Sequence, residues 1–333
     1  MPRRTLSVLV GIVVALSLLT TGTALAQGDK PLHLRFATVG LGSSWYLYGA
    51  GIASLLRPEL PKGSTIDVLP IAGGIGNPKL LQSGEVELAL GHNVSTRWAC
   101  RGEVAFDAPL PKVRGLVGGL DAFFMGVFVT ERSGITSLEQ IRDRKQPFRL
   151  LTVPLGGMGE VGARQILAAY GMSYDWIKQN GGSVRHVARP ATVSGFQDGT
   201  ADAWIHIVNY GHPIVTEITT VTAVRMLPLS PDAVDKLVAQ GWERFVVPAN
   251  AFKGQPTPVL TVNAPTNLLA SADLPEPVAY AITKLVVEKK AELINVHAAL
   301  KDFDPARSAD PKLVGCQLHP GAERYYRERG MLK

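Results

Sequence analysis

The sequence predicts an α/β fold of two similar lobes flanking a central ligand cleft, on three observations. Short apolar runs alternate with helical patterns at the spacing of mainly parallel sheets. Nearly every run ends in a glycine-rich turn. And "LLQSGEVELAL" (80–90) is echoed by "GFQDGTADAWI" (195–205), where a helix ends in Gln-x-Gly and a strand with an acidic residue follows. The 333 residues suffice for two independent cores.

The elements follow in order. "LHLRFATVG" is a strand that breaks into Gly42-Ser43-Ser44-Trp45-Tyr46 and resumes as a helix. "TIDVLPIAGG" is a strand, "GNPKLLQSG" a helix stopped by Gly84, "VELALGHN" a strand and "VSTRWACRG" a helix. "VRGLVGGL" and "FFMGVFVTE" carry the β-branched and aromatic residues of strands. "TSLEQIRDR" starts a helix with Thr136 or Ser137 as its cap. The second region repeats the plan: "FRLLTVPLGGMGEVGARQILAAYG" is strand, turn and helix, followed by "SVRHVAR", "ATVSGFQDG" and "ADAWIHIVNYGHP" as strand, helix and strand. After about residue 225 the pattern loosens into a strand edge, a helix and a proline-rich loop leading into further strands. A long amphipathic helix then begins after Pro275.

The amino terminus reads as a cleaved secretory leader over residues 1–26. Arg3 and Arg4 precede an apolar run, Leu6–Leu19, and Ala24-Leu25-Ala26 is an A-x-A cleavage signal. That run is shorter than the roughly 20 residues a membrane span needs, so the expected mature product is exported to the periplasm. Losing the leader lowers the formal charge from +6 to +4. The residual positive field suits an anionic small molecule, and no cluster of basic and aromatic residues points to nucleic acid. Cys100 and Cys316 either pair in an oxidising compartment or remain two buried thiols. Nothing has metal-ligand spacing.

Five junctions put small or polar residues where strands end: Gly42–Tyr46, Gly73–Asn77, His92–Ser95, Pro154–Gly159 and His206–Tyr210. In open parallel sheets ligands lie beyond the carboxyl ends of the strands. Helix N-termini there offer N–H groups and a positive dipole end to an anion. Any one junction reads more readily as a plain turn; five in two similar lobes read as a shared cleft. Residues 157–162 satisfy GxGxxG, but the acidic residue expected about 20 positions on is missing, so a packing or ligand turn is preferred to a dinucleotide site. No GxSxG, HExxH or phosphate-loop lysine pattern is present. His92, His206 and His212 read as packing residues before they read as bases. Trp45, Tyr46, Tyr48 and Trp204 suit either core or pocket. The chain is therefore expected to be a binding protein, not an enzyme, with no cofactor or metal.

With those features in place, the chain resembles the TAXI-type solute receptors of tripartite ATP-independent (TRAP) transporters over about residues 33–333. Four segments carry the resemblance: "ATVGLGSSWYLYGAGIASLL", "IAGGIGNPKLLQSGEVELAL", "TVPLGGMGEVGARQILAAYG" and the terminal "LHPGAERYYRERG". It implies a type II periplasmic-binding-protein fold, with residues 30–122 plus 226–333 as lobe 1 and 123–225 as lobe 2. The partners it implies are a small organic acid and the small and large membrane subunits of a transporter. The same fold also serves receptors of ABC importers or sensors, and a secreted α/β enzyme is the remaining alternative. Gly42, Ser43, Ser44, Trp45, Tyr46, Gly74, Asn77, His92 and Asn93 would contact the ligand from lobe 1. Pro154, Gly157, Met158, Gly159, Trp204, His206 and Tyr210 would close from lobe 2, with Trp45 and Trp204 walling the apolar part. The family's first junction reads roughly Gly-Gly-x-Tyr-Tyr-Pro, and here it reads Gly42-Ser43-Ser44-Trp45-Tyr46-Leu47. The second lobe's Gly-Ser-Gly-Thr is matched by Gly156-Gly157-Met158-Gly159, and a common glutamine by His92. Fewer side-chain donors and more aromatic surface predict a bulky, aromatic monocarboxylate in place of the family's glutamate or dicarboxylates.

Overall fold

The computed structural model describes residues 30–332, apart from the side chain of Arg189. The leader expected at residues 1–26 lies outside the described residues. Twelve strands occur among those described: β1 His33–Ala37, β2 Thr65–Leu69, β3 Leu88–His92, β4 Val113–Val117, β5 Phe124–Thr130, β6 Arg149–Thr152, β7 Ser183–His186, β8 Ala203–Val208, β9 Val224–Met226, β10 Glu243–Val247, β11 Val259–Asn263 and β12 Thr266–Ser271. They form two sheets. The first runs β2-β1-β3-β12-β4, and the second runs β10-β11-β5-β8-β6-β7 with β9 added beside β5.

The two sheets share a plan. Each has a parallel trio whose middle strand comes first in sequence, β2-β1-β3 and β7-β6-β8. Each trio is extended by an antiparallel strand, β12 on β3 and β5 on β8. Helices cover both faces of each sheet, which is why β3 and β5 are buried along their whole length without alternation.

The echoed segments mark a matching latch in each lobe. Arg35 sits in the middle of β1 and Glu87 precedes β3; the Glu87 carboxylate accepts the Arg35 backbone N–H at 2.7 Å and guanidinium bonds at 2.6 and 3.2 Å. The guanidinium also donates to the Gly84 carbonyl at 2.8 Å. In the second lobe Asp202 accepts the Arg149 N–H at 2.9 Å and guanidinium bonds at 2.6 and 2.8 Å, and Arg149 reaches the Gly199 carbonyl at 2.7 Å. Gly84 and Gly199 both have φ near +70°, a conformation glycine adopts without strain.

The sheets divide the chain later than the sequence suggested. β9, β10 and β11 all belong to the second sheet, so the return to the first comes after Asn263 and not at 226. Nothing in local composition marks that boundary, because β10 and β11 pair with each other before either meets β5. The predicted long helix is also two, Glu276–Glu288 and Lys290–Val296, broken at Lys289. Ser137, not Thr136, caps the helix Leu138–Arg144.

The chain crosses between lobes twice, at 118–123 and 264–265. The crossings are bonded to each other: Ala264 N donates to Phe123 O at 2.8 Å and Leu120 N to Thr266 O at 2.9 Å. Cys100 and Cys316 form a disulfide with Cα atoms 6.0 Å apart, stapling the helix Asn93–Arg101 to the C-terminal segment.

Candidate functional site

A cleft of about 470 Å³ lies between the lobes, at the carboxyl ends of the parallel strands. Two matching turns line it. Residues 35–45 read Arg-Phe-Ala-Thr-Val-Gly-Leu-Gly-Ser-Ser-Trp, and residues 149–159 read Arg-Leu-Leu-Thr-Val-Pro-Leu-Gly-Gly-Met-Gly. Gly42 and Gly156 occupy the same left-handed conformation, φ +76° and +77°. The helices Ser44–Leu56 and Met158–Ala169 start at equivalent positions, capped by Ser43 and Gly157 in extended conformation.

The side chains finish the two turns differently. Ser43 Oγ accepts the Tyr46 N–H at 3.1 Å and donates to Val39 O at 3.2 Å. Gly157 has no side chain, so the buried Glu160 reaches back to accept the Gly156 N–H at 3.1 Å, held by Arg164 at 2.8 Å. Further N-termini meet the same cleft. Ala188 caps the helix Arg189–Gln197, His212 caps Pro213–Val221, and both line the cleft. The loop before the helix Gly76–Ser83 presents Ala72, Gly73 and Gly74. Ala72 holds φ +56°, a strained conformation for a residue with a Cβ.

Among the described side chains, no Asp, Glu, Lys or Arg lines the cleft. Its walls are Val39, Trp45, Phe123, Val153, Leu155, Met158, Val187 and Ile207, and its side-chain polar groups are Ser43, Ser44, His92, His206 and His212. Trp45, His92 and Phe123 form a ring cluster, with centroids 4.6 Å apart for Trp45–His92 and 5.2 Å for His92–Phe123. His92 is buried and its Nδ1–H donates to Ala264 O at 2.8 Å, which leaves Nε2 as an acceptor. Burial pushes this imidazole down to about 4, outweighing the Ala264 bond, so it is neutral near pH 7.

The glycines of the GxGxxG stretch serve close packing. A Cβ on Gly159 would fall 1.9 Å from His206 Nδ1, and one on Gly162 would fall 2.6 Å from Met125 Sδ. Gly74 marks a close approach between lobes, since a Cβ there would lie 2.8 Å from His92 Cδ2 and 3.3 Å from Met158 Cβ.

Of the residues singled out from sequence, Ser43, Ser44, Trp45, Gly74, His92, Pro154, Gly157, Met158, Gly159 and His206 line the cleft together. Six do not. Gly42 makes the turn, and Tyr46 is half-buried one step along the helix. Asn77 is buried, with its amide bonded to Ala37, Thr38 and Leu90 carbonyls and its oxygen to Gly73 N–H; it ties the cleft loop to the sheet. Asn93 points away, donating to Lys312 O at 2.9 Å. Trp204 lies two residues behind His206 along β8 and stacks on Phe128 at 5.7 Å in the second lobe's core, so it cannot wall the cleft. Tyr210 packs on Phe124 and faces a separate cavity. Phe123 and Val187 were missed, because neither sits at a glycine turn. Among the described residues no group of His, Cys, Asp and Glu could hold a metal ion, and no helix is long and apolar enough to cross a membrane.

Several solved structures resemble most of the chain. MatC from Rhodopseudomonas palustris with bound malate has TM-score 0.53 at 13% identity, covering 91% of this chain and 100% of that one. PhnD1 from Prochlorococcus marinus in complex with methylphosphonate has TM-score 0.53 at 12% identity, with the same coverage. A TctC solute binding protein from Polaromonas has TM-score 0.50 at 12% identity, covering 91% and 98%. Likeness at such identity establishes the fold, that of the periplasmic binding proteins. The family is carried by the sequence itself: over residues 36–330 it matches the NMT1-like family, and the chain belongs to it.

Proposed function

We propose that the protein is an extracytoplasmic solute receptor that captures a small organic anion between its lobes and releases it unchanged to a membrane transporter. The observation that carries this reading is the convergence of four helix caps, Ser43, Gly157, Ala188 and His212, on a cleft that no charged group lines among the described side chains. Backbone N–H groups and helix dipoles supply a positive potential there, which suits one anionic group. The apolar remainder of the lining suits a bulky body, and the ring cluster of Trp45, His92 and Phe123 suits an aromatic one. The His92 Nε2 acceptor favours a ligand that also carries an O–H or N–H. Malate and methylphosphonate, bound by the similar MatC and PhnD1, are small anions too.

Within that class we assign a carboxylate, and delivery to a TRAP-type transporter rests on the resemblance to TAXI-type receptors. Calorimetry on the protein purified without its leader tests the ligand class, using benzoate, phenylpyruvate, malate and glutamate. Micromolar binding of the aromatic acids supports the assignment. Micromolar binding of glutamate with no response to either aromatic acid overturns it. Native mass spectrometry identifies any acid carried through purification.

A further inference from the structure

The Ser44 hydroxyl in the cleft is wired to a carboxyl group at the crossing between lobes. Asn209 Nδ2 donates to Ser44 Oγ at 3.2 Å and to Tyr48 Oη at 3.3 Å. Tyr48 in turn donates to Asp121 Oδ2 at 2.8 Å, and Asp121 Oδ1 accepts the Thr266 N–H at 3.0 Å. All of these side chains are buried, Asn209 and Asp121 at 0% and 3% exposure. Ser44 and Tyr48 lie one turn apart on a first-lobe helix, Asn209 follows β8 of the second lobe, and Asp121 lies on the first crossing. The relay is therefore complete only with the lobes together.

The ionisation of Asp121 fixes the direction of every bond in this chain. A carboxylate only accepts, so Tyr48 points its proton at Asp121 and its oxygen accepts from Asn209. Asn209 then presents its amine to Ser44 as well, and the Ser44 proton remains for the cleft. If Asp121 takes up a proton, Oδ1 keeps the Thr266 N–H and the new Oδ2–H donates to Tyr48. Tyr48 then gives its proton to Asn209, whose amide turns to present Oδ1, and Ser44 donates to that oxygen. The cleft now meets Ser44 lone pairs. The turn exchanges one unbonded end for the other, because Asn209 Oδ1 has no hydrogen-bond partner in the present orientation.

We propose that Asp121 is a positioning residue which, through Tyr48 and Asn209, sets Ser44 as a donor to a bound anion when ionised and as an acceptor when protonated. This rests on the anion-receptor reading and adds a proton gate to it. Burial, with the Asp302 charge adding, lifts Asp121 to about 6 against the lowering by its Thr266 and Tyr48 bonds, so the gate falls in an ordinary pH range. The groups around it are the His297 ring, 5.3 Å from that of Tyr48, and Tyr210, Glu243, Asp302, Asp304 and Arg307 around the adjoining cavity. Anion binding also responds to pH through other groups of the protein and the ligand, so the gate is read from a ratio against a variant.

The test measures binding of benzenesulfonate, benzoate and malate by calorimetry from pH 7.5 to 5.0; benzenesulfonate stays ionised throughout. Asp121→Asn fixes the relay in its protonated sense, since the amide must donate to Tyr48 while accepting from Thr266. It is expected to bind about tenfold more weakly than wild type at pH 7.5 and equally at pH 5.0, the loss of one hydrogen bond to a charged group. Tyr48→Phe, which cuts the relay with little change of shape, is expected to give the same convergence and serves if Asp121→Asn does not fold. Ser44→Ala is expected to bind weakly and to lose the difference. A wild-type to variant ratio that stays constant across pH overturns the gate and leaves the receptor reading standing. Binding of none of the three anions by wild type at pH 7.5 overturns the anion-receptor reading, and the gate with it.

Discussion

The two lobes meet the cleft with one backbone and two sets of side chains. Both turns leave a strand through Thr-Val, pass a left-handed glycine and enter a helix, and an arginine latch anchors the base of each. The first then shows Ser43, Ser44 and Trp45, where the second shows Gly157, Met158 and Gly159. The first turn is built to present hydroxyls and an aromatic ring, the second to let backbone approach closely. The two turns share a geometry and divide the work through their side chains.

That comparison can be broken at several points. The largest effect is expected from the disulfide, because the first lobe has a covalent staple and the second has none. Reduction, or Cys100→Ser with Cys316→Ser, should cost about 2–4 kcal/mol. Hydrogen exchange should quicken in first-lobe amides and leave the trio β6-β7-β8 unchanged; uniform quickening would show that the lobes unfold as one. Next comes Gly159→Ala. Trp45 stands at the matching position, yet a methyl here strikes His206. Overpacking of about 1–3 kcal/mol should lower the melting temperature and weaken anion binding at least tenfold, whereas unchanged binding would mean that the second turn does not close on the ligand.

Smaller effects separate the caps and the latches. Ser43→Ala removes a cap worth about 1 kcal/mol, whereas Ser43→Gly, which copies the matching Gly157, should cost only a few tenths, so urea unfolding of the two variants should separate them. For the latches, burial raises the Glu87 and Asp202 carboxyls, but the arginine bonds outweigh it and hold both below their ordinary values. A depressed folded value gives stability that is full above the unfolded value of about 4 and lost as pH falls through the folded one. The arginines are over two-fifths exposed, so each latch should contribute under about 1 kcal/mol. Arg35→Met and Arg149→Met should each lose stability at pH 7 and match wild type near pH 2. A deficit that persists in acid would assign the loss to packing.

Much of this was legible in the sequence, because strand-to-helix turns need particular residues. The Gln-x-Gly echo marked the helix–strand steps that carry the latches, and the strand-end junctions marked ten of the cleft residues. What failed did so for identifiable reasons. Asn77 and Asn93 are polar residues at strand ends whose partners are backbone carbonyls distant in sequence, and spacing does not show which way an amide points. Trp204 shares a face with His206, but only the latter reaches the strand end. Phe123 lies on a crossing segment with no turn chemistry to flag it. A closer repeat was in plain view: "RFATVGLG" and "RLLTVPLG", 114 residues apart, pair the two turns directly.

The return of the chain to the first sheet has a consequence for the order in which the lobes can be completed. Every strand of the second sheet lies between Phe124 and Asn263, an uninterrupted stretch. The first sheet lacks the strand that joins β3 to β4 until Thr266–Ser271 is made, and among the described strands β4 has only that one as its ladder partner. During synthesis, then, the lobe that begins first finishes last. A chain halted near residue 263 would hold one complete sheet and, ahead of it, a parallel trio with an open edge waiting for β12.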